Sequence, residues 1–322
     1  MPDPRLSVGA VTAAALSPPS AVLRPLSAAD LDAVVALDRR STGSSRRGYF
    51  EKRLAAALRK PRGHFQFALT TGQGLAGFLL ARRVGGEYGR PDEAVVLESI
   101  GVDPSSRQRG LGRQLLGALE ELSRAHGIRQ VVTQVDWRNH SMLRFLAGAR
   151  FELAPRPILE LKVERVPLPQ TDEEIEAWPP VVRQLKASDL DGIVRIDKRI
   201  TGSDRRAYLE RKFDEALNDS AIAVSLVGEV DGLPAAFAMA RVDFGDFGHV
   251  EPSAALDTLG VDPPFAGKGL GKAVLSQMIE NLAALHVERL ETEVARDATR
   301  LLSFLYAAGF GASQRLSFQK AI

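Results

Sequence analysis

The sequence predicts two tandem domains of α/β (α+β) class, each a sheet sandwiched by helices. Three observations predict it. The chain repeats itself at long range: Asp38, Arg40, Thr42, Gly43, Ser44, Arg46, Arg47, Tyr49 and Glu51 recur in the same spacing as Asp197, Arg199, Thr201, Gly202, Ser203, Arg205, Arg206, Tyr208 and Glu210. Strand-like and helical patterns follow one another in the same order in both copies. A proline-rich, acidic joint separates the two. Solenoid repeats have periods of about 20–50 residues, so a repeat this long marks duplicated domains.

Within the first copy, 21–24 reads as a short strand. Ser27 reads as the N-cap of a helix continued by Leu31, Val34, Val35 and Asp38. A Gly/Ser/Arg turn at 41–47 leads to a second helix over 48–58, which ends before Pro61. Strands are predicted over 65–69, 75–84 and 93–102, with glycine-rich turns between them. A glycine loop opens a helix over 111–125, and Gly127 suits its C-terminal end. The β-branched run 128–135 reads as a strand, 141–149 as a helix, and 151–163 as closing strands. The first domain therefore spans 21–165 and the second 182–322. Between them, 166–181 holds four prolines and the run Asp172-Glu173-Glu174, as a linker does. Residues 1–20, rich in Ala, Ser and Pro, are expected to form a disordered tail.

Composition narrows the function classes. Of 322 residues, 45% are hydrophobic and 25% charged, an ordinary globular balance. A net charge of +2 argues against nucleic acid or a membrane surface as partner. The chain has no cysteine, which excludes disulfides, thiolate metal sites and a cysteine-acyl intermediate, and no metal site is predicted. No apolar run reaches the roughly 20 residues of a membrane helix. A cytoplasmic location is expected.

The sharpest motif is Val102-Asp103-Pro104-Ser105-Ser106-Arg107-Gln108-Arg109-Gly110-Leu111-Gly112, followed by Arg113. Its second form is Val261-Asp262-Pro263-Pro264-Phe265-Ala266-Gly267-Lys268-Gly269-Leu270-Gly271, followed by Lys272. In both a strand stops, a Gly/basic turn follows and a long helix starts. Successive backbone N–H groups and a helix N-terminus then converge on one point, which makes an anion site. Glycine permits the close approach and the unusual φ angles. The motif is neither a Walker A loop nor a dinucleotide fingerprint, since it lacks the Gly-Lys-[Ser/Thr] ending and a third glycine.

Arg107-x-x-Gly110-x-Gly112, after one strand, two helices and three strands, resembles the coenzyme A signature of the GNAT superfamily of N-acetyltransferases. The resemblance covers about 22–163 and 182–322. It implies two tandem GNAT-like domains, each a mixed, mostly antiparallel sheet flanked by helices with a splayed cofactor cleft, and it implies acetyl-CoA as cofactor and an amine as acceptor. It implies that Arg107, Gln108, Arg109, Gly110, Leu111, Gly112 and Arg113 hold the pyrophosphate, with Gly267, Lys268, Gly269, Leu270, Gly271 and Lys272 in the second copy. The pantetheine arm would pair with Ile100, Gly101 and Val102, or with Leu259, Gly260 and Val261, as an added strand. Asn139 stands where the family often places an asparagine on the cofactor; the alternative is a helix cap. The second copy has Ala298 there and Ala266 in place of Arg107, so the first copy is the favoured active one.

The family places its general base on the strand before the cofactor segment, where Glu98 and Asp257 correspond. A carboxylate in the run Ala94-Val95-Val96-Leu97 is costly unless solvated or paired. A cleft position with a raised pKa suits a base; the alternative is an ion pair with an arginine of the neighbouring strand. The family's usual acid, a tyrosine in the last helix, is replaced by Leu146 and Leu305, and Tyr306 is one helical step away. The first two helices line the acceptor pocket in the family, so Arg46, Arg47 and Tyr49, with Arg205, Arg206 and Tyr208, are the acceptor candidates. Their alternative role is a salt bridge to Asp38 and packing. The acceptor itself has no signature. A non-catalytic acyl-CoA-binding sensor, or a tandem enzyme with the second copy active, are the other readings, and a monomer or homodimer is expected.

Overall fold

The computed structural model describes residues 21–89, 93–163, 181–220, 222–244, 247 and 252–322. The expected tail and the expected linker lie outside these, apart from Val181, which opens a strand. The first copy runs β1 (Val22–Pro25), α1 (Leu31–Thr42), α2 (Arg47–Arg59), β2 (His64–Thr71), β3 (Gly74–Val84), β4 (Ala94–Val102), α3 (Leu111–Ala125), β5 (Gln130–Asp136), α4 (His140–Gly148), β6 (Glu152–Leu153) and β7 (Ile158–Lys162). The second runs β8 (Val181–Gln184), α5 (Leu190–Thr201), α6 (Arg206–Asp214), β9 (Leu226–Val230), β10 (Leu233–Phe244), β11 (Pro252–Val261), α7 (Leu270–Ala284), β12 (Arg289–Glu293), α8 (Thr299–Ala307), β13 (Gly311–Ala312) and β14 (Arg315–Ala321).

Two mixed sheets flanked by helices result, as expected, and each has seven strands. Each is covered on both faces. Over one face of the first sheet, α3 and α4 bury Leu79, Val95, Leu115, Leu119 and Leu146. Over the other, α1 and α2 bury Val34, Leu37, Phe50, Phe78 and Leu80. Gly101 of β4 is required by this packing, because a Cβ there would lie 2.5 Å from the Phe78 ring.

Sheet membership departs from the sequence reading at one place. The closing strands do not stay in their own copies. The first sheet is ordered β1-β2-β3-β4-β5-β14-β6, and the second β13-β7-β12-β11-β10-β9-β8. Strand β14 of the second copy pairs antiparallel with β5 from Arg315–Asp136 to Ala321–Gln130. Strand β7 of the first copy pairs with β12 from Arg289–Lys162 to Glu293–Ile158. The division at 165 therefore separates the copies along the chain but not the sheets. Both strands occupy the same position after the last helix, and each offers a pleated, half-apolar surface that fits either partner.

The neighbouring parallel strands fork. β4 and β5 pair only at Val95–Val131 and Val96–Val132. The Thr133 hydroxyl then donates to Leu97 O at 2.8 Å, and no further rung follows. In the second copy, β11 and β12 pair from Ser253–Arg289 to Ala255–Glu291, and Thr292 Oγ1 donates to Leu256 O at 2.9 Å. Past the fork, β4 remains bonded to β3 as far as Val102. Its other edge faces the gap and offers N–H and C=O groups to an extended ligand.

Candidate active site

Each fork carries an acidic residue on a β-bulge. Leu80 pairs with Ser99 and Ala81 with Leu97, so Glu98 is the extra residue of β4. Met239 pairs with Thr258 and Ala240 with Leu256, so Asp257 is the extra residue of β11. A bulge unpairs one residue and re-aims its side chain, a device found beside active sites.

The bulged carboxylates sit in matching cationic cradles. Glu98 is buried and accepts from Arg82 Nε at 2.6 Å, with Arg53 Nη2 at 3.2 Å. Asp257 has Arg241 Nε at 3.1 Å and Lys212 Nζ at 3.2 Å. Arg53 and Lys212, like Arg82 and Arg241, correspond in the repeat. The expected raised pKa of Glu98 is corrected here. Burial pushes it up, but the charges of Arg53 and Arg82 outweigh that and hold it below the ordinary glutamate value. The ion pair with the neighbouring strand is thus present, with α2 supplying a second cation. His64 on β2 belongs to the same electrostatic cluster, and burial lowers its pKa against the nearby Glu98 charge. Ala223 takes its place in the second copy.

The glycine loops stand at the open ends of the forks. In the first, Arg107, Gln108, Arg109, Gly110 and Arg113 are exposed, and Leu111 and Gly112 are half-buried at the start of α3. Gly110 has φ +78°, and Gln108 takes the left-handed region at φ +64°, where the second copy has Gly267 at φ +76°. The first-turn N–H groups of α3, as in any α-helix, have no intrahelical acceptor. Asp103 ties the loop down by accepting from Ser105 N–H at 3.0 Å and Ser105 Oγ at 2.6 Å, and it pairs with Arg40 at 2.6 Å. In the second copy Pro264 replaces Ser105. Asp262 keeps the Arg199 pair at 2.7 Å, while its Oδ1 is buried without a hydrogen-bond partner. Lys268 is exposed, Gly269, Gly271 and Lys272 are half-buried, and Leu270 is buried.

The remaining candidates divide. Ile100, Gly101 and Val102 end β4 along the open edge, and Leu259, Gly260 and Val261 end β11 likewise. Asn139 is the N-cap of α4, accepting from Met142 N–H at 3.1 Å. Leu146 and Leu305 are fully buried, and Tyr306 is 53% exposed, so neither helix offers a hydroxyl at the family position. Arg46 is buried in a fork-to-fork pair with Asp38, its Nε donating at 2.8 Å. Arg205 pairs likewise with Asp197, Nε at 2.9 Å. Tyr49 and Tyr208 are buried beneath these arginines. Arg47 and Arg206 are exposed and reach Asp32 with Glu51, and Asp191 with Glu210.

Contacts between the copies were invisible in the sequence. The turn after β3 enters the second copy on its α5–α6 side. Arg205 Nη1 donates to Gly86 O, Arg211 Nη2 to Gly85 O at 3.0 Å, and Lys212 lies 3.3 Å from Glu87. Tyr88 reaches the second fork itself, with its hydroxyl 3.1 Å from Leu256 O and 2.8 Å from Thr292 Oγ1. Its counterpart is Phe247, which packs against the cluster of Ala94, Val96 and Val132 at the base of the first fork. A cavity of about 120 Å³ lies between the copies, lined from both forks by Val96, Val132, Leu256, Asp257, Arg82 and Arg241 among others. Among the described residues no cluster suits a metal ion, and no helix is long and apolar enough to cross a membrane.

A doubled, forked sheet with a glycine loop at each open end defines the class, and comparison agrees. The chain belongs to the acetyltransferase (GNAT) family, whose model matches residues 31–148 and 190–310. It is similar to the mycothiol acetyltransferase of Clavibacter sepedonicus, 30% identical over 226 residues that cover 68% of this chain and 70% of that one. The enzyme of the same name from Clavibacter michiganensis subsp. michiganensis is 30% identical over 243 residues, covering 70% of this chain and 75% of that one. Among solved structures, a tandem GNAT protein from the clavulanic acid biosynthesis pathway shares the fold at a TM-score of 0.63, with 16% identity over 94% of this chain and 98% of that one. A GNAT protein from Sphaerobacter thermophilus does so at 0.58, with 18% identity over 94% and 95%. The chain is an N-acetyltransferase of tandem architecture, from a family whose enzymes use acetyl-CoA.

Proposed function

We propose that the first copy transfers acetyl from acetyl-CoA to an amine, and that the second completes the fold around it. The observation that carries this is the first fork, with an acidic bulge at its base and a basic glycine loop at its mouth. Arg107 to Arg113 would hold the pyrophosphate on backbone N–H groups, and the unpaired edge of Ile100 to Val102 suits an extended arm. Arg107, Arg109 and Arg113 give this loop three cations, against Lys268 and Lys272 in the second. Acetyl-CoA supplies the activated acyl group when bound.

The chain's own residues would do the following. Backbone N–H groups at the bulge face developing negative charge on the acyl oxygen. Glu98, ionised under its two arginines, receives the acceptor's proton through water. Its lowered pKa makes the acceptor's own deprotonation set the pH dependence. Arg46 and Arg205 are better assigned to joining α1 to α2, and α5 to α6, than to the acceptor.

Calorimetry with acetyl-CoA and a thiol-release assay test this on Gly110→Glu and Gly269→Glu, with folding checked by circular dichroism. The amine panel includes the acceptor of the mycothiol acetyltransferases. Gly110→Glu should abolish release and Gly269→Glu should retain it. The reverse assigns catalysis to the second copy. Binding without release on any amine leaves an acyl-CoA sensor.

A further inference from the structure

The cavity between the copies is lined by a charged side chain whose hydrogen bonding is incomplete. Arg315 opens β14 opposite Asp136 of β5, so the strand exchange brings it from the second copy into the first sheet. It lines the cavity of about 120 Å³ and is 6% exposed. Its Nη1 donates to Glu291 Oε2 at 2.6 Å, and the Phe247 ring lies 4.6 Å from its Cζ. Nε and Nη2 are buried and have no hydrogen-bond partner among the described residues. Arg156 holds the same place in the first copy and lines the cavity too.

Two stranded donors on a buried cation are costly. The acids of the cavity wall do not relieve them, because each has its own partner. Glu291 is taken by Nη1, Asp257 by Arg241 and Lys212, and Glu87 by Lys212. Glu293 accepts from Gln134 Nε2 at 2.8 Å and from Ser317 Oγ at 3.1 Å. Nε and Nη2 form one edge of the guanidinium, with two parallel N–H groups spaced for the two oxygens of a carboxylate. The same cavity is lined by Val96 and Val132 at the base of the first fork, and by Leu256 and Thr292 at the base of the second. A carboxylate on Arg315 would therefore belong to a small molecule whose other end lies at a fork.

We propose that Arg315 binds a carboxylate of the acceptor, so that the acceptor is an amine that also carries a carboxylate, as an amino acid does. This rests on acetyl transfer to an amine, as read above, but not on the choice of copy, because the cavity is lined from both forks. The exchanged strand of the second copy would then supply an acceptor-binding residue to the sheet of the first.

The test compares glycine, β-alanine and γ-aminobutyrate with their primary amides, which varies the spacing from amine to carboxylate. Calorimetry and the thiol-release assay are both read. For at least one spacing the acid should bind about tenfold or more tightly than its amide, with KM lower by the same factor, because the amide loses a charge-assisted pair. Arg315→Gln should remove that preference by raising KM for the acid, with kcat and the values for the amide little changed. That variant strands Glu291, so Arg315→Gln combined with Glu291→Gln, checked by melting, repeats the measurement without an unpaired buried charge. Equal affinity of acid and amide at every spacing in the intact chain overturns the proposal, as does an equal loss for both in the folded variants. A thermal shift with acetate that disappears in Arg315→Gln, with no preference between acids and amides, assigns the edge to a free anion and overturns the acceptor assignment. Absence of release with every amine overturns the transfer reading and not the carboxylate site, which the calorimetric preference decides by itself.

Discussion

Strand exchange makes a strong prediction about the halves of the chain. Residues 21–163 and 181–322, produced separately, should not fold, and mixing them should restore folding. The first half alone loses β14 from beside β5, a full set of rungs from Arg315–Asp136 to Ala321–Gln130. It also loses Lys320 from Glu120 and leaves Trp137 N–H without Gln314 O at 3.1 Å. At the same time β7 is left without β12. Ile158 and Leu159, 3% and 0% exposed, would face water, at about 1.5–3 kcal/mol for each side chain. Adding net hydrogen-bond losses of about 0.5–1.5 kcal/mol each, the deficit reaches the whole 5–15 kcal/mol that stabilises a typical domain. Urea titration followed by circular dichroism, with gel filtration of the mixture, is the assay. Each half should lack a cooperative transition, and the one-to-one mixture should recover one at the mass of the intact chain. A cooperative transition for 21–163 alone, at the midpoint of the intact protein, would refute the exchange as the basis of stability.

Two further outcomes follow from the ion pairs. Arg46→Ala should destabilise by about 3–5 kcal/mol, because it strands the buried Asp38 carboxylate. Arg47→Ala, at an exposed pair, should change stability by less than about 1 kcal/mol, and chemical denaturation compares the two directly. Burial alone would lower the pKa of Lys212, but Asp257, Glu215 and Glu87 overcome it and push it up to about 12. A raised folded-state pKa gives stability that is fully present below the unfolded value near 10.4 and is lost as pH rises through about 12. Lys212→Met should flatten the alkaline limb of a pH–stability curve between those values, and an unchanged limb would place the linkage elsewhere.

Much of this was legible because the repeat holds its register. Two copies of one pattern defined the element order, and two glycine loops marked the strand-to-helix turns after β4 and β11. The bulges were half legible. A carboxylate inside Ala94 to Leu97 demanded a partner, and the repeat also carried the answer. Arg53 with Lys212, and Arg82 with Arg241, keep cations at the same spacing from Glu98 and Asp257. Reading those four positions as partners would have replaced the raised pKa with a lowered one. What stayed hidden is tertiary choice. Strands β7 and β14 present similar surfaces, so nothing local says which sheet each joins. Tyr88 meets Leu256 across 168 residues, and a lone tyrosine in a Gly-Gly-Glu-Tyr-Gly turn gives no sign of that partner.

The exchange also bears on why two copies with unequal glycine loops stay together. Deleting the second copy would remove β14 from the first sheet, and deleting the first would remove β7 from the second. Each fork also meets the other copy through Tyr88 or Phe247. A second copy with no transfer activity would therefore still be needed to keep β5 paired and Lys320 beside Glu120. Substitutions at its loop, such as Ala266 for Arg107 and Pro264 for Ser105, leave that structural duty untouched, since none of them lies in β14 or beneath it. Loss of function in one loop and retention of the whole domain are thus compatible, and they predict that stability and turnover respond to different residues of the second copy. Lys320 belongs to the structural side of that division, because it is a rung of the exchanged strand and pairs with Glu120 of the first copy.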